Sequence, residues 1–440
     1  MKHIFNFTFY IFNLRNKKYS YFLLLTSYFL LIAPCSLLYT QGSVYSQFGL
    51  GEIRTTINTR SFAMSGIGVA SKEKRSFDFS HPATWGEINR TIFSAGFYYQ
   101  GIKSSDATNS VFLSKGNFNG AALAFPVYMP KNIVFGIGIL PVTNVNYEVQ
   151  NSDAQRGINY STKYFGSGGL SQFTSGLSYN LSEQLSFGFA YNYYFGTIER
   201  NEHFLSYSLQ TVTTIKTLSQ HYSGSGLQLG ALYKFPRSLF NTKQFSLGVQ
   251  FSAPVTLSTE NDSIVKYYAT DDFYSQNPTS VRANTSQSFS TLLPLNFSVG
   301  ASSQIDEQFQ VGMELQFQNW KNFKENTIHP KEFENSIRFG VGGEYLAIKN
   351  ESGEPYFSRI AYRFGLHYAK TPYVINGTSI NEIGISAGFG LPVALESRLN
   401  FGFEFSQRGK TDLNLLKEDI FRLIISFDAN ELMFVRPEKE

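Results

Sequence analysis

Two features of the sequence could carry chemistry: a serine in a hydrolase-type motif, and charged residues that recur on alternating segments. The motif, residues 384–388, has the form Gly-x-Ser-x-Gly with Ser386 at its centre. Hydrolysis at such a motif needs a sharp strand-to-helix turn that lifts the serine beside an oxyanion hole. Apolar residues occupy every second position from Ile383 to Phe389, which predicts a continuous strand with Ser386 on its polar face. We therefore predict that the protein is not an enzyme.

Metal and cofactor sites have no support in the sequence either. The six histidines are scattered, and no two of them form a His-x-x-x-His pair. Zinc and non-haem iron sites need compact groups of histidine, cysteine and carboxylate ligands. Gly66-x-Gly68 lacks the third glycine and the preceding strand of a dinucleotide-binding loop. We predict no metal and no cofactor.

Five charged residues are candidates for a network in the interior of the molecule. They lie on the polar face of predicted strands, together with His367: Glu314, Arg338, Glu344, Arg359 and Arg363. Buried charges need partners, so the first interpretation is a structural network of ion pairs that fastens the wall to a plug. The alternative is that the arginines bind the carboxylate of a passing ligand in bidentate fashion.

The composition indicates which elements must position these residues. Phe (43) and Tyr (27) dominate the apolar residues of the 440-residue chain, whereas Trp, Met and Cys number 2, 5 and 1. Aromatic residues favour strands, and only 16% of residues are charged, which is low for a soluble protein. These numbers predict an all-β protein and argue against a helical architecture or a disulfide scaffold.

The first forty residues have a composition of their own. Four basic residues and no acidic residue precede an apolar run from Tyr21 to Leu38, and the polar Thr40-Gln41-Gly42 follows. We interpret residues 1–40 as a cleaved signal peptide, with a single membrane-spanning helix as the alternative. Without them, 37 minus 4 leaves 33 basic residues against 33 acidic residues. A neutral mature chain gives no electrostatic reason to expect a nucleic-acid partner.

The rest of the chain alternates between apolar and polar residues over long segments. From residue 91 onward we count about fourteen such segments, many of them longer than the five or six residues usual for soluble strands. Several apolar faces end in Tyr or Trp, and the opposite faces carry Gly, Ser, Asn, Gln and charges, as in membrane barrels. The segments are 91–102, 116–128, 132–148, 168–180, 184–200, 221–235, 243–258, 284–302, 306–320, 333–349, 357–369, 383–393, 397–408 and 419–434.

These segments predict a closed transmembrane antiparallel β-barrel over residues 91–434, followed by a short tail, 435–440. The connections alternate in length, as periplasmic turns and outer loops do. Short links occur at 180–183, 305–307 and 395–397, and long polar stretches at 201–220, 259–283 and 370–382. We therefore predict the outer membrane of a Gram-negative-type cell as the location, with membrane lipids around the barrel.

Residues 41–90 are rich in Gly and Ser and do not alternate, which is typical of an internal plug. Several of their motifs resemble the hatch of the FadL/TodX-like family of outer-membrane transporters, and further motifs in the barrel are similar to the same superfamily. These are 43–51 (SVYSQFGLG), 63–70 (AMSGIGVA), His81-Pro82-Ala83, 166–171 (GSGGLS), Leu293-Pro294, Trp320, 362–365 (YRFG) and 388–392 (GFGLP).

The resemblance implies a monomeric barrel of fourteen strands, whose N-terminal hatch blocks the lumen and which admits fatty acids or other hydrophobic compounds. The family hatch has Asn-Pro-Ala where this chain has His81-Pro82-Ala83, so the proline turn is kept and the asparagine amide is lost. We expect these three residues to belong to the gate. The barrel-assembly machinery is an expected partner during biogenesis.

The resemblance also implies an inward kink in the third strand, which opens a lateral gap in the wall. Gly136, Gly138 and Pro141 supply the means, because glycine lowers the cost of a bend and proline removes a ladder hydrogen bond. The alternative is that Pro141 simply ends the membrane strand at the outer rim.

Two functions follow from this interpretation. The first is a channel for passive uptake of a hydrophobic small molecule, with the hatch shifting to release it. The second is a structural or secretion-associated barrel that binds a partner protein through its long loops. A transporter predicts an apolar pocket between hatch and wall, whereas a scaffold predicts a packed plug without one.

Overall fold

The protein is described here by a computed structural model. The described residues are 42–54, 58–71, 75–155, 158–206, 213–236, 242–268, 278, 280–326, 333–347, 355–393, 397–412 and 415–431. The predicted signal peptide, 1–40, and the predicted tail, 435–440, lie outside these ranges. No helix in these ranges is long and apolar enough to span a membrane.

The chain forms a closed, antiparallel β-barrel of fourteen strands, as the alternating segments predict. Each barrel strand pairs with the next along the chain, and β19 pairs with β2 to close the barrel. The strands are β1 (Glu52–Ile53), β2 (Thr91–Ser105), β3 (Ser110–Tyr128), β4 (Ile133–Pro141), β5 (Thr143–Gln155), β6 (Ile158–Asn180), β7 (Leu185–Ser206), β8 (Thr213–Lys234), β9 (Gln244–Ser252), β10 (Val255–Tyr268), β11 (Ser280–Leu293), β12 (Asn296–Gln304), β13 (Phe309–Gln318), β14 (Lys324–Glu325), β15 (Ser336–Leu346), β16 (Ala361–Ile375), β17 (Thr378–Pro392), β18 (Arg398–Gly409) and β19 (Lys417–Glu431).

Three barrel strands consist of two consecutive segments each. β4 and β5 form the third strand, β9 and β10 the seventh, and β11 and β12 the eighth. The short β1 belongs to the N-terminal segment, which we define as residues 42–90. We call the end of the barrel that holds Thr91 and Glu431 the inner end, because short turns of this kind face the periplasm.

The predicted facing of the strands agrees with their exposure. On β13, Met313 is 52% exposed and Leu315 43%, whereas the intervening Glu314 contacts the N-terminal segment. On β16, Phe364 and Leu366 are exposed and Arg363 and His367 are buried. The apolar face therefore points outward, where acyl chains replace water as the solvent, and the polar face points into the lumen.

The predicted long outer loops are mostly strand, which corrects the sequence interpretation. β7 continues to Ser206 and β10 to Tyr268, and the stretch 370–382 contains only the tight turn Asn376-Gly377. Asn376 and Gly377 have φ values of 51° and 73°, as a two-residue hairpin requires. Strands that pair in water have two polar faces, so the alternation that marks a membrane strand disappears there.

The N-terminal segment is built from short elements with local caps. It contains 3-10 turns at Val44–Gln47 and Pro82–Glu87 and one short helix, α1 (Thr59–Ala63). Asn58 caps α1, because its side chain accepts a hydrogen bond from the backbone N–H of Ser61 at 3.0 Å. Further 3-10 turns occur in the barrel at Met129–Lys131, Trp320–Asn322 and Tyr356–Arg359.

The largest hydrophobic cluster lies at the outer end of the barrel, and we call it the outer aromatic cluster. Tyr45 and Leu50 of the N-terminal segment pack there against residues of seven strands, of the connection after β13 and of the connection between β18 and β19. Its buried members are Tyr45, Leu50, Val145, Tyr147, Leu170, Tyr194, Ile198, Tyr222, Val255, Leu257, Trp320, Phe323, Phe333, Tyr373, Ile380 and Leu415. This cluster covers the outer mouth of the lumen.

Candidate functional site: the interior and the third strand

The third barrel strand changes its neighbour halfway along. β4 lies between β3 and β6, but β5 pairs with β6 on one side and with β1 on the other, where Glu52 is opposite Asn144 and Ile53 opposite Thr143. The break lies at Val142, whose carbonyl accepts from the N–H of Arg54 at 2.9 Å. The outer half of the strand therefore leaves β3 and joins the N-terminal segment.

Two glycines of β6 face the break and make it possible. Gly168 and Gly169 have φ values of 108° and 144°, a backbone conformation that residues other than glycine rarely adopt. A Cβ on Gly168 would lie 2.0 Å from the carbonyl oxygen of Thr197, and one on Gly169 2.4 Å from that of Thr143. The motif at 166–171 thus adapts the neighbouring strand to the change of register.

The glycines of β4, which are predicted to ease a bend, lie against aromatic side chains of the N-terminal segment. A Cβ on Gly136 would lie 2.5 Å from the ring of Phe77, and one on Gly138 2.4 Å from the ring of Phe79. The two glycines therefore make room for aromatic side chains of the N-terminal segment. Pro141 is the last residue of β4 and lies at the break itself.

Between β3 and β5 only side chains bridge the wall in the described residues. The ammonium group of Lys115 on β3 contacts the side-chain oxygen of Asn144 on β5. Arg54 donates to Asn119 of β3 at 3.3 Å, and its guanidinium lies 4.3 Å from the ring centroid of Tyr98. Residues 110–120 of β3 pair with β2 but with no second strand of the described part of the chain.

The predicted gate residues form a buried turn against the barrel wall. His81 is fully buried, and its Nε2 lies 2.8 Å from the carbonyl oxygen of Val249. Burial lowers the pKa of His81 to about 4, so the imidazole is neutral at pH 7. Pro82 and Ala83 lie so close to Gly188 that a Cβ there would be 2.2 Å from the N atom of Ala83.

The structure brings three of the five predicted lumen charges against the N-terminal segment, and a fourth, Arg363, against Glu344. Glu344 accepts from Arg60 at 3.0 Å and from Arg363 at 2.6 Å, and the three side chains are 3–9% exposed. Glu314 accepts from the N–H groups of Gly68 and Val69 at 2.8 and 3.0 Å, and Arg338 donates to the carbonyl oxygen of Ser65 at 2.6 Å.

Arg359 does not join this group, contrary to the prediction. It lies in the 3-10 turn Tyr356–Arg359 before β16 begins, where its guanidinium is 5.6 Å from the ring centroid of Tyr356. The predicted segment begins at residue 357, four residues before β16, because Ile360 keeps the spacing of the apolar residues for one more step.

A second group of buried charges was missed by the sequence analysis. We call it the charge cluster; its members are Glu52, Glu382, Glu404, Arg408, Glu418 and Arg422. Arg408 donates to Glu52 at 2.6 Å and to Glu382 at 2.7 Å, and Arg422 donates to Glu382 at 2.8 Å and contacts Glu404. Burial alone would raise the pKa of Glu52, but Arg408 and Arg422 lower it to about 2. The cluster holds β1 against β17 to β19.

His367, Glu382 and Glu404 are the one group of metal-ligand type among the described residues. Each ring nitrogen of His367 is 3.6 Å from a carboxylate oxygen, one of Glu382 and one of Glu404. Arg422 already contacts both carboxylates. The arrangement is that of an ion-pair network, because Arg422 supplies a positive charge to both carboxylates.

The two main lumen cavities have walls in which polar and apolar side chains are mixed. One, of about 110 Å³, lies beside the charge cluster, and the other, of about 180 Å³, lies beyond Arg54. The larger is lined by side-chain amides, among them Gln172, Gln228, Gln250 and Gln316. Apolar side chains of the N-terminal segment and of the barrel also line the larger cavity, among them Val69, Phe79, Leu140 and Leu293.

Ser386 lies on the continuous strand β17, so the turn that a hydrolase motif needs is absent. Its hydroxyl donates to the carbonyl oxygen of Ala63 at 3.0 Å and lies 2.8 Å from the hydroxyl of Ser65. The serine is one more attachment of the N-terminal segment to the wall.

A family model described as BamG matches residues 20–438 of the chain. Among solved structures, the chain is similar to the CymD monoaromatic hydrocarbon channel, with 13% identity, TM-score 0.56, and coverage of 88% of this chain and 100% of that chain. It is similar to a Pseudomonas aeruginosa FadL homologue, with 14% identity, TM-score 0.57, and coverage of 87% and 99%.

The Ralstonia pickettii toluene transporter TbuX is a third such structure, with 14% identity, TM-score 0.56, and coverage of 85% and 98%. At these identities the likenesses show the fold, which is the one that the motifs predicted. A search of curated proteins found no match.

Proposed function

Because the chain belongs to the BamG family and is an outer-membrane β-barrel with the FadL-like fold, we propose that it passes a small hydrophobic molecule sideways through its wall. The observation that carries this proposal is the change of neighbour in the third strand. β5 pairs with β1 instead of β3, so the wall there is held by side chains and by the N-terminal segment. No catalytic group is needed for such a passage.

The route leads past the N-terminal segment, which acts as the hatch. Behind the gap lies a small cavity of about 30 Å³, and its wall includes Phe77, Phe79, Ala121 and Leu140. Its size does not admit a ligand in this closed state. A shift of Arg54 and its neighbours in β1 would join this apolar corner to the lateral gap and let an apolar molecule leave into the membrane.

His81, Pro82 and Ala83 anchor the far end of the hatch in this proposal. The turn is buried against β7 and β8 and carries no charge at pH 7, so it is a fixed point rather than the moving part. The protein acts as a monomer, and Glu314, Arg338, Glu344 and Arg363 fasten the hatch to the wall rather than bind the ligand.

The test is a reversible lock across the gap. The predicted mature chain is cysteine-free, so Lys115→Cys with Asn144→Cys introduces a single pair between β3 and β5, and oxidation in the presence of a short alkanedithiol bridges the pair through two disulfides over the span of the replaced lysine. The matched control is Gln407→Cys with Asp419→Cys, two facing residues of strands that stay paired. Uptake of radiolabelled toluene and of oleic acid is measured in cells with each variant, oxidised and then reduced.

Oxidation should abolish uptake through the gap variant, reduction should restore it, and the control should not respond. Equal uptake in the oxidised and reduced gap variant would contradict a lateral passage. Mass spectrometry of molecules that copurify with the wild type gives an independent readout, since an apolar ligand should be enriched in it.

The second candidate is a structural or secretion-associated barrel that binds a partner protein. The amides and charges in the walls of the two main cavities favour it, because they offer an apolar molecule less binding surface than a wholly apolar pocket would. The buried ion pairs also fix the N-terminal segment firmly. Absence of both uptake and a copurified apolar molecule, with a protein partner retained by the outer strands, would support this function instead.

A further inference from the structure

The larger lumen cavity lies directly behind the break in the third strand. It measures about 180 Å³, and its wall includes Leu140 and Val142 beside the break and Ile53 and Arg54 of the N-terminal segment. For comparison, an engineered apolar cavity of about 150 Å³ holds one benzene molecule. The larger lumen cavity therefore has room for a molecule built on a single ring, and it is too small for a long acyl chain.

A group of side-chain amides lines this cavity from four adjacent strands, β8, β9, β12 and β13. We call it the amide array; its members are Gln228, Gln250, Asn296, Gln316 and Gln318. Gln250 and Gln316 are both paired with Ser298, and Asn296 is paired with Gln318. The strand register therefore places these amides side by side on one part of the lumen wall.

Hydrogen bonds within the amide array fix the orientation of its members. Gln316 donates to the side-chain oxygen of Asn296 at 3.1 Å, and Asn296 donates to that of Gln250 at 3.4 Å. Gln250 in turn donates to the hydroxyl of Ser252 at 2.6 Å. An amide has two N–H donors and an oxygen with two lone pairs, and this chain of bonds uses one donor of each member. The array can therefore offer a ligand both donors and acceptors.

The rest of the cavity wall contains apolar side chains, among them those of Val69, Phe79, Leu140 and Leu293. A purely apolar molecule would satisfy these side chains but leave the amides without partners, which is costly in a buried site. A sugar carries hydroxyl groups all round its ring, and those beside the apolar side chains would lose their hydrogen bonds. The mixed wall therefore favours a ring that has a hydrogen-bonding group on one side only.

The charged groups of the cavity favour a ligand without charge. Two acids, Asp78 and Glu314, and one base, Arg54, line the wall. The guanidinium of Arg54 already lies 4.3 Å from the ring centroid of Tyr98 and donates to Asn119 at 3.3 Å. A carboxylate in the cavity would lie close to both acidic side chains, whereas a hydroxyl would not be repelled by them.

We propose that the larger lumen cavity is a binding site for an uncharged, ring-sized molecule with a hydroxyl group, which the amide array recognises. A hydroxyl suits the array because it donates one hydrogen bond and accepts others. The apolar side of the ring then packs on Phe79 and its apolar neighbours. The proposal goes beyond the lateral passage, since it concerns binding in the lumen, and its test needs no transport.

The experiment is equilibrium dialysis of the purified protein in detergent at pH 7, with the same micelle concentration in both chambers so that partition into micelles cancels. Four radiolabelled probes of similar size are compared: p-cresol, toluene, benzoate and glucose. The p-cresol is neutral at this pH, because phenols titrate near pH 10. It should bind at least about tenfold more tightly than toluene, which leaves the array without a partner, and more tightly than benzoate or glucose.

Substitutions of the array then locate the site. Gln316→Met and, as a second variant, Gln250→Met keep the length of the side chain but remove the amide. Each should weaken the binding of p-cresol about tenfold or more and leave the binding of toluene unchanged or tighter, whereas a damaged cavity would lose both ligands. The control is Gln310→Met, which lies on the same face of β13 but contacts Arg60 and Ser71. Heat-modifiable migration shows that each variant is folded.

Three outcomes would overturn the proposal. The first is p-cresol that binds no more tightly than toluene, including the case in which neither binds. The second is benzoate or glucose that binds as tightly as p-cresol. The third is an equal effect of Gln310→Met and Gln316→Met, because the attachment of the hatch and not the array would then control binding. Selective binding of p-cresol, together with uptake that ignores the crosslink across the gap, would support this site and contradict only the lateral passage.

Discussion

Replacing Glu52 by glutamine should loosen the N-terminal segment from the barrel wall. The carboxylate is held by Arg408 at 2.6 Å and by Arg422 at 3.3 Å, and these arginines lower its pKa from 4.5 to about 2 although burial opposes them. At 1.36 kcal/mol for each pKa unit, the charged carboxylate stabilises the attached state by about 3 kcal/mol. Glutamine keeps the shape and removes the charge, so the population of the detached state should rise roughly a hundredfold.

The assay follows one thiol in an otherwise cysteine-free mature chain. Ser46 is fully buried, and its hydroxyl accepts from the N–H of Asn146 at 3.0 Å. With Ser46→Cys present in both proteins, the cost of this substitution cancels from the comparison. The labelling rate with a maleimide in detergent follows the open population as long as the segment recloses faster than it reacts.

The control is Glu148→Gln, which removes a carboxylate from a partly exposed pair with Lys163. Exposed pairs contribute about 0–1 kcal/mol, so labelling should rise less than about fivefold. The reasoning is refuted if Glu52→Gln accelerates labelling no more than this control does. In that case the charge cluster would contribute nothing to the attachment of β1.

Four further predictions follow from the same contacts. The rates of amide hydrogen exchange of residues 42–54 should differ fully between wild type and Glu52→Gln above pH 4.5, and this difference should disappear as the pH falls toward 2. The reason is that a carboxylate with a lowered pKa contributes its full stability only above the pKa of the free group and loses it as it becomes protonated. Leu315→Arg should impair barrel assembly, at a cost of about 2–4 kcal/mol near the lipid midplane, while Gln316→Arg should assemble normally, as measured by heat-modifiable migration. Glu344→Ala should destabilise the protein by about 3–5 kcal/mol in urea unfolding, because it leaves two buried arginines without their carboxylate. Ser386→Ala should leave the hydrolysis of p-nitrophenyl esters at background and cost about 1 kcal/mol of stability through two lost hydrogen bonds.

The strands and their facing could be predicted because membrane strands have a local signal of period two. The exposed Leu315 and the inward Glu314 differ by one position, and no knowledge of the partner strands is needed to assign them. The charge cluster has no such signal. Glu52 and Arg408 are 356 positions apart, and they meet only because the barrel closes and its register brings β17 to β19 beside β1.

The glycines of the third strand show a different limit. Sequence reasoning assigns Gly136 and Gly138 to a bend because glycine is known to favour one. Their actual neighbours are the rings of Phe77 and Phe79, which arrive from a segment more than fifty positions earlier in the chain. A glycine can allow a bend in the strand or make room for a neighbouring side chain, and only the packing of the complete barrel distinguishes these two roles.

The strength of the attachments determines how much of the N-terminal segment could move in a transport cycle. Glu52 contributes about 3 kcal/mol, and loss of the Glu344 pairs would cost about 3–5 kcal/mol. Breaking both sets of contacts would cost about 6–8 kcal/mol, which lowers the population of the open state by roughly 10⁴- to 10⁶-fold. The binding free energy of a weakly bound small molecule is too small to offset this cost. In the passage that we propose, Arg60 therefore stays on Glu344, and only β1 and Arg54, which border the gap, move. A crosslink between positions 115 and 144 spans this border. It should therefore block the movement of β1 and Arg54, whose free-energy cost the binding of a small ligand could offset.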